Sequence, residues 1–157
     1  MHAPVARLDA APAATEFVTF RLADQWLGIP VLLVQEVLSS QRLAKVPVAP
    51  EAVAGFLNLR GQIVTALDLR VTLELPPRSS DASQMNVVVQ HDGELFAFIV
   101  DDVGDVVTVA PTDVEPPPTT LDARWRSVAQ GIIRRDAGLL VVVRVGALLA
   151  VDQPGPG

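Results

Sequence analysis

The apolar and polar positions of this chain change period at short intervals, the rhythm of brief strands separated by turns. Glu16–Leu22 alternates, with Phe17, Thr19 and Arg21 on one face and Val18, Phe20 and Leu22 on the other. Ala23-Asp24-Gln25 reads as a turn into a second strand, Trp26–Ile29. Pro30 then presets the backbone for a helical first turn. Val31, Val34 and Leu38 fall at helical spacing, which predicts a short helix over Val31–Leu38 with Gln35 and Glu36 on its flank.

Pro47 and Pro50 bracket a rigid loop before the segment AGFLNLRGQIVTALDL, Ala54–Leu69. There Phe56, Leu57 and Leu59 lead into an Arg60-Gly61 turn, and a strand over Gln62–Leu67 follows. Asp68 can cap a short helix, Leu69–Leu75, by accepting backbone N–H bonds. Pro76–Asp81 is the clearest internal break, expected as a loop between two sublobes. Met85–Gln90 and Leu95–Val100 flank His91-Asp92-Gly93-Glu94, a hairpin signal. Further strands are expected at Asp105–Val109, Ser127–Arg134 and Leu139–Val143. A proline-rich loop spans Pro111–Pro118, Asp136-Ala137-Gly138 forms a turn, and a last helical piece covers Val145–Val151. The pattern predicts about nine or ten strands and three short helices, with no βαβ alternation and no sequence repeat. Residues 1–15 and 152–157 lack any period and are expected as tails.

Composition narrows this picture. At 157 residues the chain fits one domain, and half of it is hydrophobic, so a packed core and not disorder is expected. Two Trp, five Phe and no Tyr leave branched aliphatics to fill that core, which suits strands. No apolar run nears the roughly 18 residues of a membrane helix, and no signal-peptide core is visible at the N-terminus. With no cysteine, disulfide and thiolate chemistry are excluded, and a cytoplasmic location without membrane insertion is expected. A net charge of −6 argues against a nucleic-acid partner. Arg124, Arg126, Arg134 and Arg135 come nearest to a basic patch, and read as a solvated face on two strands.

Candidate chemistry is sparse. His2 sits in the N-terminal stretch and His91 in a hairpin turn, neither placed as a base or ligand. Asp101, Asp102 and Asp105 cluster in DDVGD without the spacing or closing Glu of a calcium loop, and read as a solvated strand end. No nucleophile-elbow, phosphate-loop or dinucleotide motif occurs. No catalytic residue, cofactor or metal is expected, and the odds move toward a binding module. Gly61 suggests a positive φ or a close approach. Arg60, between an apolar run and a strand, needs a partner, and Glu36 is the acid chosen for it. An Arg60 that only points into solvent is the alternative.

These features, in order, resemble the CheW family, the coupling proteins of bacterial chemotaxis. The resemblance rests on EFVTFRL, WLGIP with VLLVQEVL, VPVAPEAVAGFLNLRGQIVTALDLR, IVDDVGDVV and QGIIRRDAGLLVVVRVGALL, together roughly residues 16–150. NLRG followed by a strand and DLR is its most specific part. It implies a mainly β fold of two packed SH3-like five-stranded barrels with a few short helices, as one domain over 16–151. The sublobes would divide near 76–84 or interleave. It implies a non-catalytic adaptor bridging the cytoplasmic tip helices of a chemoreceptor and the regulatory domain of a CheA-type histidine kinase, recruited to receptor arrays. Edge strands and loops would meet the kinase, and a groove between barrels the receptor helix. Val34, Glu36, Gly55, Arg60, Val88 and Val106 match positions the family uses around that groove, although alternating valines such as Val88 and Val106 also fit a core.

Three departures bear on this. Thr65 stands where a proline is usual in an edge-like strand, Arg144 replaces a usual N-cap acid or amide, and Phe96-Ala97 replaces smaller residues. Two other readings remain: the same adaptor serving twitching motility or surface sensing, and a barrel that binds or converts a small molecule in the seam between lobes.

Overall fold

The computed structural model describes residues 14–45, 48–79 and 82–151. Among these, eleven strands form two sheets. The first contains β1 (Thr15–Leu22), β2 (Gln25–Pro30), β8 (Asp102–Val109), β9 (Val114–Glu115), β10 (Ala129–Arg135) and β11 (Gly138–Val143). Its order is β8-β1-β2-β11-β10-β9. The second contains β3 (Val34–Ser39), β4 (Val53–Leu59), β5 (Gln62–Asp68), β6 (Met85–His91) and β7 (Glu94–Val100), in the order β3-β6-β7-β5-β4. Both follow one plan. Two antiparallel hairpins join through a parallel pair, β2 with β11 in one sheet and β5 with β7 in the other.

The sheets therefore interleave in sequence, with residues 34–100 supplying all of the second. The proline-rich stretch at Pro76 does not divide them, as one reading of the sequence expected. It links two elements of the same sheet, and its end at Ser80-Asp81 lies outside the described residues. The change-over falls at Pro30 and again after Val100. The first sheet also has six strands where five were expected, the added one being the two-residue β9. Residues 1–13 and 152–157 lie outside the described residues, while Thr15, placed in the N-terminal tail from sequence, opens β1.

Alternation puts one face of each sheet into a shared seam. Phe20, Leu22, Leu27 and Ile29 of the first sheet meet Val87, Val89, Phe98 and Val100 of the second. All are buried, each side chain contributing roughly 1.5–3 kcal/mol of hydrophobic stabilisation. The opposite faces line the two barrel interiors. Phe17, Val109, Ile133, Leu140 and Val142 fill the first barrel, and Leu57, Val64, Ala66, Val88, Ala97 and Ile99 fill the second. Thr65 pairs with Phe56 of β4 and Phe96 of β7, so its strand is internal, not edge-like. Phe96 packs against the seam.

Local chemistry accounts for the joints. Arg60-Gly61 and Asp92-Gly93 form two-residue hairpin turns with positive φ throughout (50° and 90°; 51° and 80°), the left-handed pair that matches strand twist. Asp68 caps helix α1 (Leu69–Thr72), its carboxylate accepting from the Arg70 N–H at 3.1 Å. That helix is shorter than expected because Glu74 turns left-handed, φ 57°. Helix α2 (Ala123–Arg126), capped by Asp122, was not visible in the apolar pattern. It carries Arg124 and Arg126, so the four arginines do not share two strands. Helix α3 (Val145–Val151) stands where it was expected.

The helix expected over Val31–Leu38 is corrected. Val31–Leu33 is one 3-10 turn, and Val34 onward is the edge strand β3. Along it Val34, Glu36 and Leu38 are partly buried while Gln35 and Val37 face solvent. That is a period of two.

Candidate functional site

The second barrel closes where its sheet would otherwise end. β3 and β4 are the terminal strands in the order, and three features draw them together. The chain leaving β3 crosses to β4, where Ala44 and Phe56 exchange backbone hydrogen bonds of 2.8 Å in both directions. Gly55 permits the crossing, since a Cβ there would lie 2.6 Å from the Ala44 carbonyl oxygen. Finally, the Arg60 guanidinium at the β4–β5 turn forms an ion pair with the Glu36 carboxylate on β3. That hydrogen bond and the charge attraction raise the Arg60 pKa above its usual value. Asn58 supports the turn by accepting from the Gly61 N–H at 2.9 Å. Arg60 thus holds Glu36, although its side chain stays 71% exposed and remains open to a partner.

Glu36 stands opposite Val88 in the β3–β6 register, so it shares the interior-facing side of the sheet at its edge. Val88 itself is completely buried in that interior. Val34, half-buried, packs against the seam. Val106 lies apart, on β8 at the edge of the first sheet, opposite Val18 and half exposed. Of the residues singled out from sequence, Glu36, Gly55, Arg60 and Val88 therefore gather at one barrel. Val34 lies between that barrel and the seam, and Val106 belongs to the other sheet.

Two features escaped the sequence reading. One is Asp101, expected at a solvated strand end but buried at the junction of the sheets. Its carboxylate accepts from Arg70 Nε and Nη2 at 3.0 and 2.6 Å, from Arg78 Nε and Nη2 at 3.2 and 3.0 Å, and from the Ala23 N–H at 2.7 Å. Burial alone would raise its pKa. Hydrogen bonds from Arg70, the Ala23 N–H and Arg78 outweigh burial and lower the value to about 2. One carboxylate thereby clasps the β1–β2 turn of the first sheet to α1 and the following loop of the second. The other feature is apolar surface around β3 and the β4–β5 hairpin, where Leu32, Val37 and Ile63 are 97%, 38% and 65% exposed. The double leucine before β3 was the available signal, obscured by assigning it to a helix.

No group of metal-ligating side chains occurs among the described residues, and no described helix is long and apolar enough to cross a membrane. A family model described as the CheW-like domain matches residues 16–153. The chain belongs to the CheW-like family. The chemotaxis protein CheW of Helicobacter pylori is 27% identical over 137 residues, covering 87% of this chain and 82% of that protein. Protein FrzA of Myxococcus xanthus is 33% identical over 110 residues, 69% and 68% of the two chains. Among solved structures, the scaffolding protein TtCheW of Thermoanaerobacter tengcongensis superposes with a TM-score of 0.76 at 28% identity, covering 86% of this chain and 92% of that one. The CheW-like fold is thus evident in sequence and in three dimensions, and its two packed β units are the sheets described above.

Proposed function

We propose that this chain is a non-catalytic adaptor that couples chemoreceptors to a CheA-type histidine kinase in a chemosensory array. The observation that carries the reading is the CheW-like match over residues 16–153, and exposed apolar side chains on the second barrel support it. Leu32, Val37 and Ile63 expose branched aliphatics at the margin of the second barrel, suited to an apolar interface core. Val34 and Val106, with the Arg60–Glu36 pair at the rim, offer an amphipathic helix both apolar contact and a charge that fixes register. Gly55 and Val88 serve the same groove from within, by setting the shape of the barrel that bears it.

A pull-down with a receptor-tip fragment and a kinase regulatory domain tests the reading, which predicts association with both; binding to neither would sink it. The same adaptor serving twitching motility or surface sensing is the second reading. The relative named FrzA, not CheW, keeps it in view, and genomic neighbours separate the two.

A further inference from the structure

The first barrel has an open mouth. A cleft of about 230 Å3 enters it, floored by Trp26, Val107 and Leu140 and rimmed by Asp105 and Arg135. These floor residues belong to the barrel's own apolar cluster. The cleft is built by a bulge, because between Val18↔Val106 and Phe20↔Val103 the single residue Thr19 faces both Gly104 and Asp105. Such insertions re-aim a side chain and interrupt strand pairing. Thr19, buried, holds the bulge by donating its hydroxyl to the Asp105 carbonyl at 2.7 Å. Gly104 leaves room for the indole, since a Cβ there would lie 2.7 Å from Trp26 Cζ3.

The rim charges are uncommitted. Arg134 is engaged by Glu115, whereas the side chains of Arg135 and Asp105 form no hydrogen bond or ion pair among the described residues, not even with each other. The cleft is smaller than the roughly 300–1,000 Å3 of sites for drug-sized ligands, so it has room for about one residue. An α-amino acid answers both charges within that space, because it carries an ammonium and a carboxylate on the same residue. Any residue of a peptide has its α-amino group, its α-carboxyl group or both tied up in amide bonds, and the bulged edge of β8 discourages an added strand.

We propose that this barrel mouth binds a free α-amino acid with an apolar side chain, its ammonium toward Asp105, its carboxylate toward Arg135 and its side chain against Trp26. Successive strand residues face opposite ways, so the ligand occupies the face of β8 opposite to Val106 and leaves that valine accessible.

The test is an NMR titration of the full 15N-labelled chain with L-leucine. The two tryptophans give two indole N–H signals. The Trp26 signal should move saturably while that of Trp125, buried in the seam, stays as an internal control. Leucinamide and N-acetyl-leucine, each lacking one charge, should bind about tenfold more weakly or worse, as should L-leucine to Arg135→Gln and Asp105→Asn. Both substitutions alter exposed side chains, so the fold should survive them. The proposal is overturned if L-leucine, L-isoleucine and L-valine leave the Trp26 signal unmoved up to their solubility limits. It is equally overturned if leucinamide and N-acetyl-leucine bind as well as L-leucine, or if Arg135→Gln binds L-leucine unchanged.

Discussion

In the second barrel the chain leaving β3 crosses to β4, bonds Ala44 to Phe56, and is backed by the Glu36–Arg60 pair. In the first, the corresponding margin is β8, which bulges at Gly104-Asp105 and leaves a cleft above Trp26. Both sheets join two hairpins through a parallel pair, so the hydrogen-bond plan does not account for the difference. Single positions do. Gly55 allows backbone to approach backbone, whereas Gly104 allows an indole to lie on a strand. An absent side chain thus closes one barrel and opens the other.

The sharpest way to break the contrast is Gly55→Ala. Its Cβ would meet a backbone oxygen that cannot swing aside, and we expect a loss on the order of 3 kcal/mol in urea denaturation. An unchanged midpoint would remove Gly55 from the closure.

Next comes the clasp between the barrels. With a folded pKa of about 2 against an ordinary 3.8, Asp101 binds protons less readily folded than unfolded. Its contribution is fully present above the unfolded value and is lost as pH falls from there through about 2. That difference corresponds to about 2 kcal/mol. Asp101→Asn should cost a similar amount at pH 7 and flatten the acid limb of a stability–pH curve. A parallel acid limb in the variant would assign the effect to other carboxylates.

Gly104→Ala should cost less, about 1 kcal/mol, because the new methyl meets side chains, the half-buried Trp26 and the Thr19 hydroxyl at 2.8 Å, which can shift where a backbone oxygen cannot. Its signature would be a change in tryptophan emission. Unaltered emission would mean that Gly104 does not set the indole. Glu36→Gln should move stability least of all, since the Ala44–Phe56 bridge closes the barrel without it. Weakened binding of a receptor-tip helix is expected in its place. A large drop in melting temperature would show that the ion pair, and not the bridge, closes the barrel.

Much of this fold could be read from the residues. Arg60-Gly61 and Asp92-Gly93 announce hairpins because two consecutive positive φ angles need such residues, and the ion pair expected between Glu36 and Arg60 is present. The helix assigned to Val31–Leu38 failed because Val31, Val34 and Leu38 fit a 3.6 period by coincidence. The true pattern begins at Val34, after a 3-10 turn that shifts the phase. Asp101 was missed for a different reason: Arg70, Arg78 and the Ala23 N–H lie 31, 23 and 78 residues away, and no local pattern encodes them. The cleft was invisible on the same grounds, since Thr19 and Asp105 meet only across the bulge. The seam, where the sequence allows a small-molecule site, is filled by Phe20 and Phe98, and the cleft lies at the mouth of one barrel.

The most direct test of the adaptor reading is one binding measurement with three proteins: this chain, a receptor-tip fragment and a CheA-type regulatory domain, followed by analytical ultracentrifugation. A ternary complex is expected with the unmodified chain. With Arg60→Glu the receptor fragment should dissociate, at least about tenfold more weakly bound, while the kinase domain stays. No complex with either protein would contradict the adaptor role, and a receptor affinity untouched by Arg60→Glu would return that arginine to a purely structural part.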